Sequence, residues 1–99
     1  MDHDLNTFEG RERYTDADKR MVIDTIRTEC ELAELGPMST MVVLNRTQNS
    51  LIHAPSYNRT RDGQVASALR YGRELVAEHR QTDDIIRRVV ARSEAREAA

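Results

Sequence analysis

The feature that most constrains the fold is an apolar stripe in the first third of the chain, lying between a helix start signal and a helix stop signal. Thr15, followed three residues later by Asp18, can cap a helix N-terminus, and Gly36-Pro37 is typical of a helix end. The pattern predicts an amphipathic helix from Thr15 to Leu35, whose stripe must be buried against another element. The residues of this stripe recur at helical spacing: Val22, Ile26, Cys30 and Ala33, with Ile23 and Leu32 beside them.

A second stretch of helical periodicity begins at Gln64 and continues towards the C-terminus. Thr82 followed by two aspartates can start a new helix, so the pattern allows either one long helix or two that meet end to end. Past Val90 the chain keeps helix propensity but loses its apolar face, and we expect it to fray there. The predicted stripe consists of Val65, Leu69, Gly72, Val76 and His79, continued by Ile86, Val89 and Val90.

The segment from residue 38 to residue 54 can be interpreted in two ways. As a helix it is capped by Ser39 and presents Met41, Leu44, Gln48 and Leu51 on one face. As a hairpin it has two short strands, at residues 41–44 and 51–54. Short apolar runs do not separate these alternatives, but an isolated two-stranded hairpin is marginal, which favours the helix.

The predicted fold is therefore mainly α, an antiparallel helical hairpin or small bundle with an irregular middle segment. The alternative is an α+β fold with a β-hairpin at residues 40–54. A chain of 99 residues predicts a single helical domain over residues 14–99 with a flexible arm at residues 1–13. We expect residues 38–62 to fold over one end, with a loop from Ser56 to Gly63. The first and last helices are expected to pack through Val22, Ile23, Ile26, Leu69, Val76 and Ile86.

The supply of apolar side chains is small. Apolar residues make up 38% of the chain and charged residues 32%, with no Trp and one Phe. A core built from them is marginal in a monomer, and a second subunit would add apolar contact area. We therefore predict a homodimer or higher oligomer. The segment with more apolar surface than one neighbouring helix can cover contains Ile85, Ile86, Val89 and Val90.

No residue pattern in the chain indicates catalysis, a cofactor or a metal. Cys30 lies on the apolar stripe beside Glu29 and Glu31, whose charges disfavour a reactive thiolate, so we predict a structural role. The three histidines, at positions 3, 53 and 79, have no spacing that places two on one helix face, which argues against a metal site. Phosphate-binding and nucleophile motifs are also missing. The prediction is a non-enzymatic protein without cofactor.

The sequence offers no sign of export or of membrane insertion. The N-terminal residues lack a basic segment followed by an apolar run, and the longest apolar run, residues 41–44, is far shorter than a membrane span. A single cysteine allows no internal disulfide bond. We therefore expect a cytoplasmic location and no membrane partner.

The candidate binding region lies in the middle of the chain, where two Asn-Arg-Thr tripeptides occur at residues 45–47 and 58–60. Hydrogen-bonding side chains stand there next to fixed positive charge, in a segment between predicted helices where ligands are commonly bound. Arginines of the following helix extend this basic surface. The candidate partner- or anion-binding residues are Arg46, His53, Tyr57, Asn58, Arg59, Arg61, Arg70 and Arg73.

The charge distribution leads to three functional hypotheses. Residues 1–36 carry ten acidic and five basic residues, and residues 37–99 carry seven and ten. Faces of both signs favour a small regulatory protein, an adaptor or inhibitor with a protein partner, and the length and arginine bias would suit an accessory protein of a phage or mobile element. A nucleic-acid-binding regulator with an arginine-rich face is the alternative. The third hypothesis is a small anionic ligand, such as a nucleotide, at a subunit interface.

Overall fold

The computed structural model describes residues 7–8, 11–53 and 60–98, and within them the chain is mainly α-helical, as predicted. The short ladder that precedes the helices is antiparallel and was not predicted from the sequence. The elements are β1 (Thr7–Phe8), β2 (Arg11–Glu12), α1 (Asp16–Leu32), α2 (Pro37–Ile52) and α3 (Arg61–Ala98).

Helix α1 begins at the predicted cap. The hydroxyl of Thr15 accepts a hydrogen bond from the backbone N–H of Asp18 at 3.1 Å, and the carboxylate of Asp18 accepts one from the backbone N–H of Thr15 at 2.9 Å. These reciprocal bonds form a capping box, with aspartate in place of the more usual glutamate. The local sequence is therefore sufficient to fix where this helix starts.

The end of α1 differs from the prediction. The backbone N–H of Leu35 donates to the carbonyl of Cys30 at 3.1 Å, which is the longer hydrogen bond of a Schellman motif. Glu34 occupies the left-handed position of this motif, with φ of 57°. The predicted C-cap residue, Gly36, is instead the N-cap of α2, and Pro37 is the first residue of that helix. The Gly-Pro pair thus marks a helix start, not the helix end that the sequence suggested.

The middle segment is helix α2, so the β-hairpin alternative at residues 40–54 is wrong. The helix also does not fold over one end of the molecule, as expected for residues 38–62, but packs along α3. Ser39 is not its cap, because its hydroxyl donates to Asp83 Oδ1 at 2.8 Å. Met41, predicted for the inner face, is 58% exposed. The buried side chains are Val43, Thr47 and Leu51.

Helix α3 is one continuous helix of 38 residues. It begins three residues before the predicted start, because the hydroxyl of Thr60 accepts from the backbone N–H of Gly63 at 3.0 Å and caps the first turn. Asp62 and Gly63, interpreted as a turn, therefore lie inside the helix. The helix neither breaks at Thr82 nor frays after residue 90, and it continues to Ala98.

The three helices form a small bundle in which α1 and α3 run in the same direction and α2 runs against both. Arg61 at the start of α3 pairs with Asp18 at the start of α1, and Arg87 lies near the far end of α1. Leu51, at the end of α2, packs in the same cluster as Ala68 in the first part of α3. The part of α3 beyond Arg87 therefore extends past the α1–α2 turn.

All three helices meet in the core at Gly72, which is buried. A Cβ atom at this glycine would lie 2.7 Å from Cδ1 of Ile26 in α1 and 3.0 Å from Oγ1 of Thr47 in α2. Ile86, predicted to contribute to this interface, is 54% exposed instead. The buried apolar residues around the contact form two clusters, Ile26, Cys30, Val43, Leu75 and Val76, and Val22, Leu51 and Ala68.

Two side chains of α3 hold the α1–α2 turn in place. Asp83 accepts hydrogen bonds from the backbone N–H of Gly36 at 3.0 Å and from Ser39, and these bonds lower the pKa of its carboxyl group. Arg87 donates from Nη2 to the carbonyl oxygen of Glu34 at 2.8 Å. Helix α2 has no side-chain cap of its own. Asp83 instead binds the backbone N–H of the N-cap residue Gly36 from another helix, which ties the start of α2 to α3.

Cys30 lies fully buried in the core, in agreement with its predicted position on the stripe. Burial raises the pKa of its thiol, and the charge of Glu29 raises it further. We expect Cys30→Ser to lower the free energy of unfolding by about 1–2 kcal/mol, because a hydroxyl replaces an apolar group in a packed site. Urea denaturation measures this change. Rapid reaction of the native protein with a thiol reagent would contradict the structural role.

Candidate functional site

The candidate site is a cleft between α2 and α3, with a volume of about 860 Å³. Each helix contributes residues at i, i+3, i+4 and i+7 spacing, which places them on one face of that helix. Helix α2 provides residues 46, 49 and 50 and its C-cap residue, 53, while α3 provides residues 67, 70, 71 and 74. We call this the α2–α3 cleft, and its lining residues are Arg46, Asn49, Ser50, His53, Ser67, Ala68, Arg70, Tyr71 and Glu74.

The cleft contains two arginines that have no acidic partner among the described residues. The guanidinium of Arg46 lies over the ring of Tyr71, with 5.9 Å between its central carbon and the ring centroid, and this cation–π contact orients it. Arg70 enters from α3 and is exposed. Among the described residues that line the cleft, Glu74 is the only carboxylate. The site therefore carries net positive charge beside an aromatic ring.

Two other predicted site residues are used elsewhere in the structure. Arg61 binds both carboxylate oxygens of Asp18, and these hydrogen bonds lower the pKa of Asp18 to about 2. Arg73 forms a 2.9 Å ion pair with Glu29, and it lines a smaller groove of about 440 Å³ between α1 and α3. Arg70 and Arg73, which we grouped on one face, thus lie in different grooves. These two ion pairs join α3 to α1, and each consists of an arginine of α3 and a carboxylate of α1.

The two Asn-Arg-Thr tripeptides have different structural roles. Thr47 of the first copy is buried in the core and donates to the carbonyl of Val43 at 2.7 Å, which satisfies its hydroxyl within its own helix. Thr60 of the second copy caps α3. Three predicted site residues fall outside the described part of the chain, namely Tyr57, Asn58 and Arg59.

The structure therefore brings Arg46, His53 and Arg70 together and adds side chains that the site prediction missed. The missed residues that matter most are Tyr71 and Glu74. A signal for them was present, because residues 67, 70, 71 and 74 repeat the spacing of residues 46, 49, 50 and 53. That signal is meaningful only once both segments are known to be helices that pack side by side.

The described residues offer neither a metal site nor a membrane-spanning element. They contain no group of three or more His, Cys, Asp or Glu side chains close enough to hold a metal ion. None of the helices in this part of the chain combines the length and the hydropathy that crossing a bilayer requires.

Compared with known proteins, the chain matches no family model, and no curated protein or solved structure is significantly similar to it. The class of protein that the fold defines is a small three-helix protein with a basic cleft. Its function must be inferred from the chemistry of that cleft.

Proposed function

We propose that the protein is a non-enzymatic binding protein whose α2–α3 cleft holds an acidic segment of a protein partner. The observation that carries this proposal is the presence of Arg46 and Arg70 in the cleft, one from each helix, with no salt bridge to a described carboxylate. Other arginines of the chain are paired within it: Arg27, Arg61, Arg73 and Arg87. Among the described residues, Arg46 and Arg70 therefore present unpaired positive charge from both helices within one cleft.

The remaining residues of the cleft suit a peptide better than a buried small molecule. A guanidinium binds a carboxylate through two parallel hydrogen bonds, so Arg46 and Arg70 can each hold one acidic side chain. Asn49 can donate to and accept from a peptide backbone. Tyr71 offers a ring on which aliphatic parts of a peptide can pack.

The arrangement of the arginines supports a protein partner over a nucleic acid. Binding a duplex needs several phosphate contacts on one surface. Arg61 and Arg73 are neutralised by Asp18 and Glu29, and Arg73 lines a different groove from Arg70. The described residues that line the cleft offer two guanidinium groups and one carboxylate, which are few cations for a surface that follows a nucleic-acid backbone.

The proposal is tested by NMR titration of the labelled protein with peptides rich in Glu and Asp, against the same peptides carrying Gln and Asn. We expect amide shifts confined to residues 46–53 and 67–74, and only with the acidic set. Arg46→Gln or Arg70→Gln should weaken binding roughly tenfold, since each removes a charge-assisted hydrogen bond. Arg80→Gln and Arg88→Gln make the same charge change outside the cleft and should not alter affinity.

Two further titrations distinguish the alternatives. Duplex DNA and single-stranded RNA, studied by gel shift across a salt series, should not bind at physiological salt. If either binds with a steep salt dependence that Arg46→Gln reduces by about one unit of log–log slope, the nucleic-acid hypothesis is right and ours is wrong. Cleft shifts produced by a nucleotide but by no acidic peptide would instead support the small-ligand hypothesis.

A further inference from the structure

The carboxylate that lines the α2–α3 cleft belongs to Glu74, whose side chain is exposed and forms no salt bridge with a described residue. Two arginines of the same cleft stand near it in the fold. Arg70 precedes it by four residues on α3, and Arg46 lies over Tyr71, which precedes it by three. The four ion pairs of the described residues all join other side chains.

The local structure explains why Glu74 is not paired with either arginine. An arginine placed four residues before a glutamate on a helix is the less favourable order for an ion pair, because the reverse order also suits the helix dipole. The guanidinium of Arg46 is held by the ring of Tyr71 instead. The cleft therefore offers charges of both signs to a ligand, two positive and one negative.

We infer that Glu74 binds a basic side chain of the partner, so that the segment in the cleft carries a Lys or Arg beside its acidic residues. This inference rests on the proposed function, because it concerns the same cleft and the same partner. A segment with acidic side chains alone would set one of them against Glu74, and like charges facing each other across an interface disfavour binding. Glu74 thus selects among acidic segments by repelling some and attracting others.

Helix geometry sets the spacing between the acidic and the basic residue of the partner. Arg70 and Glu74 are four residues apart on α3, which corresponds to about 6 Å along the helix axis. In an extended peptide, side chains two residues apart point to the same side and are separated by about 6.6 Å along the chain. When Arg70 holds an acidic residue, the residue two positions away therefore lies beside Glu74. The expected motif is one acidic and one basic residue separated by a single residue.

The inference is tested by calorimetric titration of the full chain with three acidic peptides that differ at one position. This position is two residues from a fixed Glu and holds Lys, Gln or Glu, and each peptide is made in both chain orders. In one of the two orders, we expect the Lys peptide to bind about threefold tighter than the Gln peptide and the Glu peptide about threefold weaker. The effect is modest because the charge pair is exposed to solvent.

A charge reversal at Glu74 gives the sharper test. Glu74→Lys should reverse the order of affinities, so that the Glu peptide binds best. Glu78→Lys makes the same charge change one turn further along α3, outside the residues that line the cleft, and should keep the wild-type order. Both glutamates are exposed, so both variants should fold, which circular dichroism verifies.

The other outcomes separate this inference from the proposed function. Equal binding of the three peptides to the wild-type chain would refute a role of Glu74 in selection and leave the acidic-segment proposal intact. If Glu74→Gln strengthens the binding of all three peptides alike, Glu74 only competes with the ligand for the arginines, and the inference is wrong. If none of the peptides binds, the proposed function fails and the inference fails with it.

Discussion

Replacing Gly72 with alanine is expected to destabilise the protein by about 1–3 kcal/mol, although alanine is the better helix former. The added methyl group would lie 2.7 Å from both Cδ1 and Cγ1 of Ile26 and 3.0 Å from Oγ1 of Thr47. Neither neighbour can move away easily, because both are fully buried. The clash therefore outweighs the helix-propensity gain of about 1 kcal/mol. The free energy of unfolding, measured by urea titration, gives the result.

The matched control is Gly36→Ala, where the nearest atom to an added Cβ is 3.8 Å away and φ is −65°. We expect this change to alter stability by less than about 1 kcal/mol. A double-mutant cycle with Ile26→Ala adds a second check, because removing the Ile26 side chain makes room for the methyl group. If Gly72→Ala is neutral or stabilising, the three helices do not meet as closely as described.

Truncation of Leu51 to alanine is expected to cost about 2–5 kcal/mol, the usual range for a fully buried leucine. Leu51 has no exposed surface, and it packs with Val22 of α1 and Ala68 of α3, so the truncation leaves a cavity between three helices. Thermal unfolding followed by circular dichroism should show a markedly lower melting temperature.

Met41→Ala is the matched control for this experiment. The sequence assigned Met41 and Leu51 to the same face of α2, but Met41 is 58% exposed in the structure. Its truncation should therefore change the free energy of unfolding by no more than about 0.5 kcal/mol. Equal losses at the two positions would mean that α2 is rotated about its axis relative to the arrangement described here.

The sequence correctly predicted those features of α1 that depend on interactions within a few residues. The start of α1 was predicted correctly because Thr15 and Asp18 satisfy each other within one helical turn. The stripe of Val22, Ile26 and Cys30 was correct because helical periodicity alone selects the buried face. The end of α1 was wrong, since the left-handed position is occupied by Glu34 and not by the glycine that usually fills it.

The candidate site was predicted only in part, for the same physical reason. Arg46, His53 and Arg70 could be recognised as polar candidates from the sequence. They line the same cleft only because α2 lies along α3. The sequence could not show that Arg61 and Arg73 are neutralised, because Asp18 and Glu29 are more than forty residues away from them in the chain. Long-range ion pairs leave no periodic signal.

The sequence by itself determined that the chain is mainly helical, where α1 starts and which face of α1 is buried, because these depend on hydrogen bonds and periodicity within a few residues. Tertiary structure decided the rest. It decided between helix and hairpin for residues 37–52, where Asp83 binds the backbone N–H at the start of α2 and α3 offers a packing surface. It also selected which arginines stay available, since an arginine can bind an external acid only where the fold supplies no internal one.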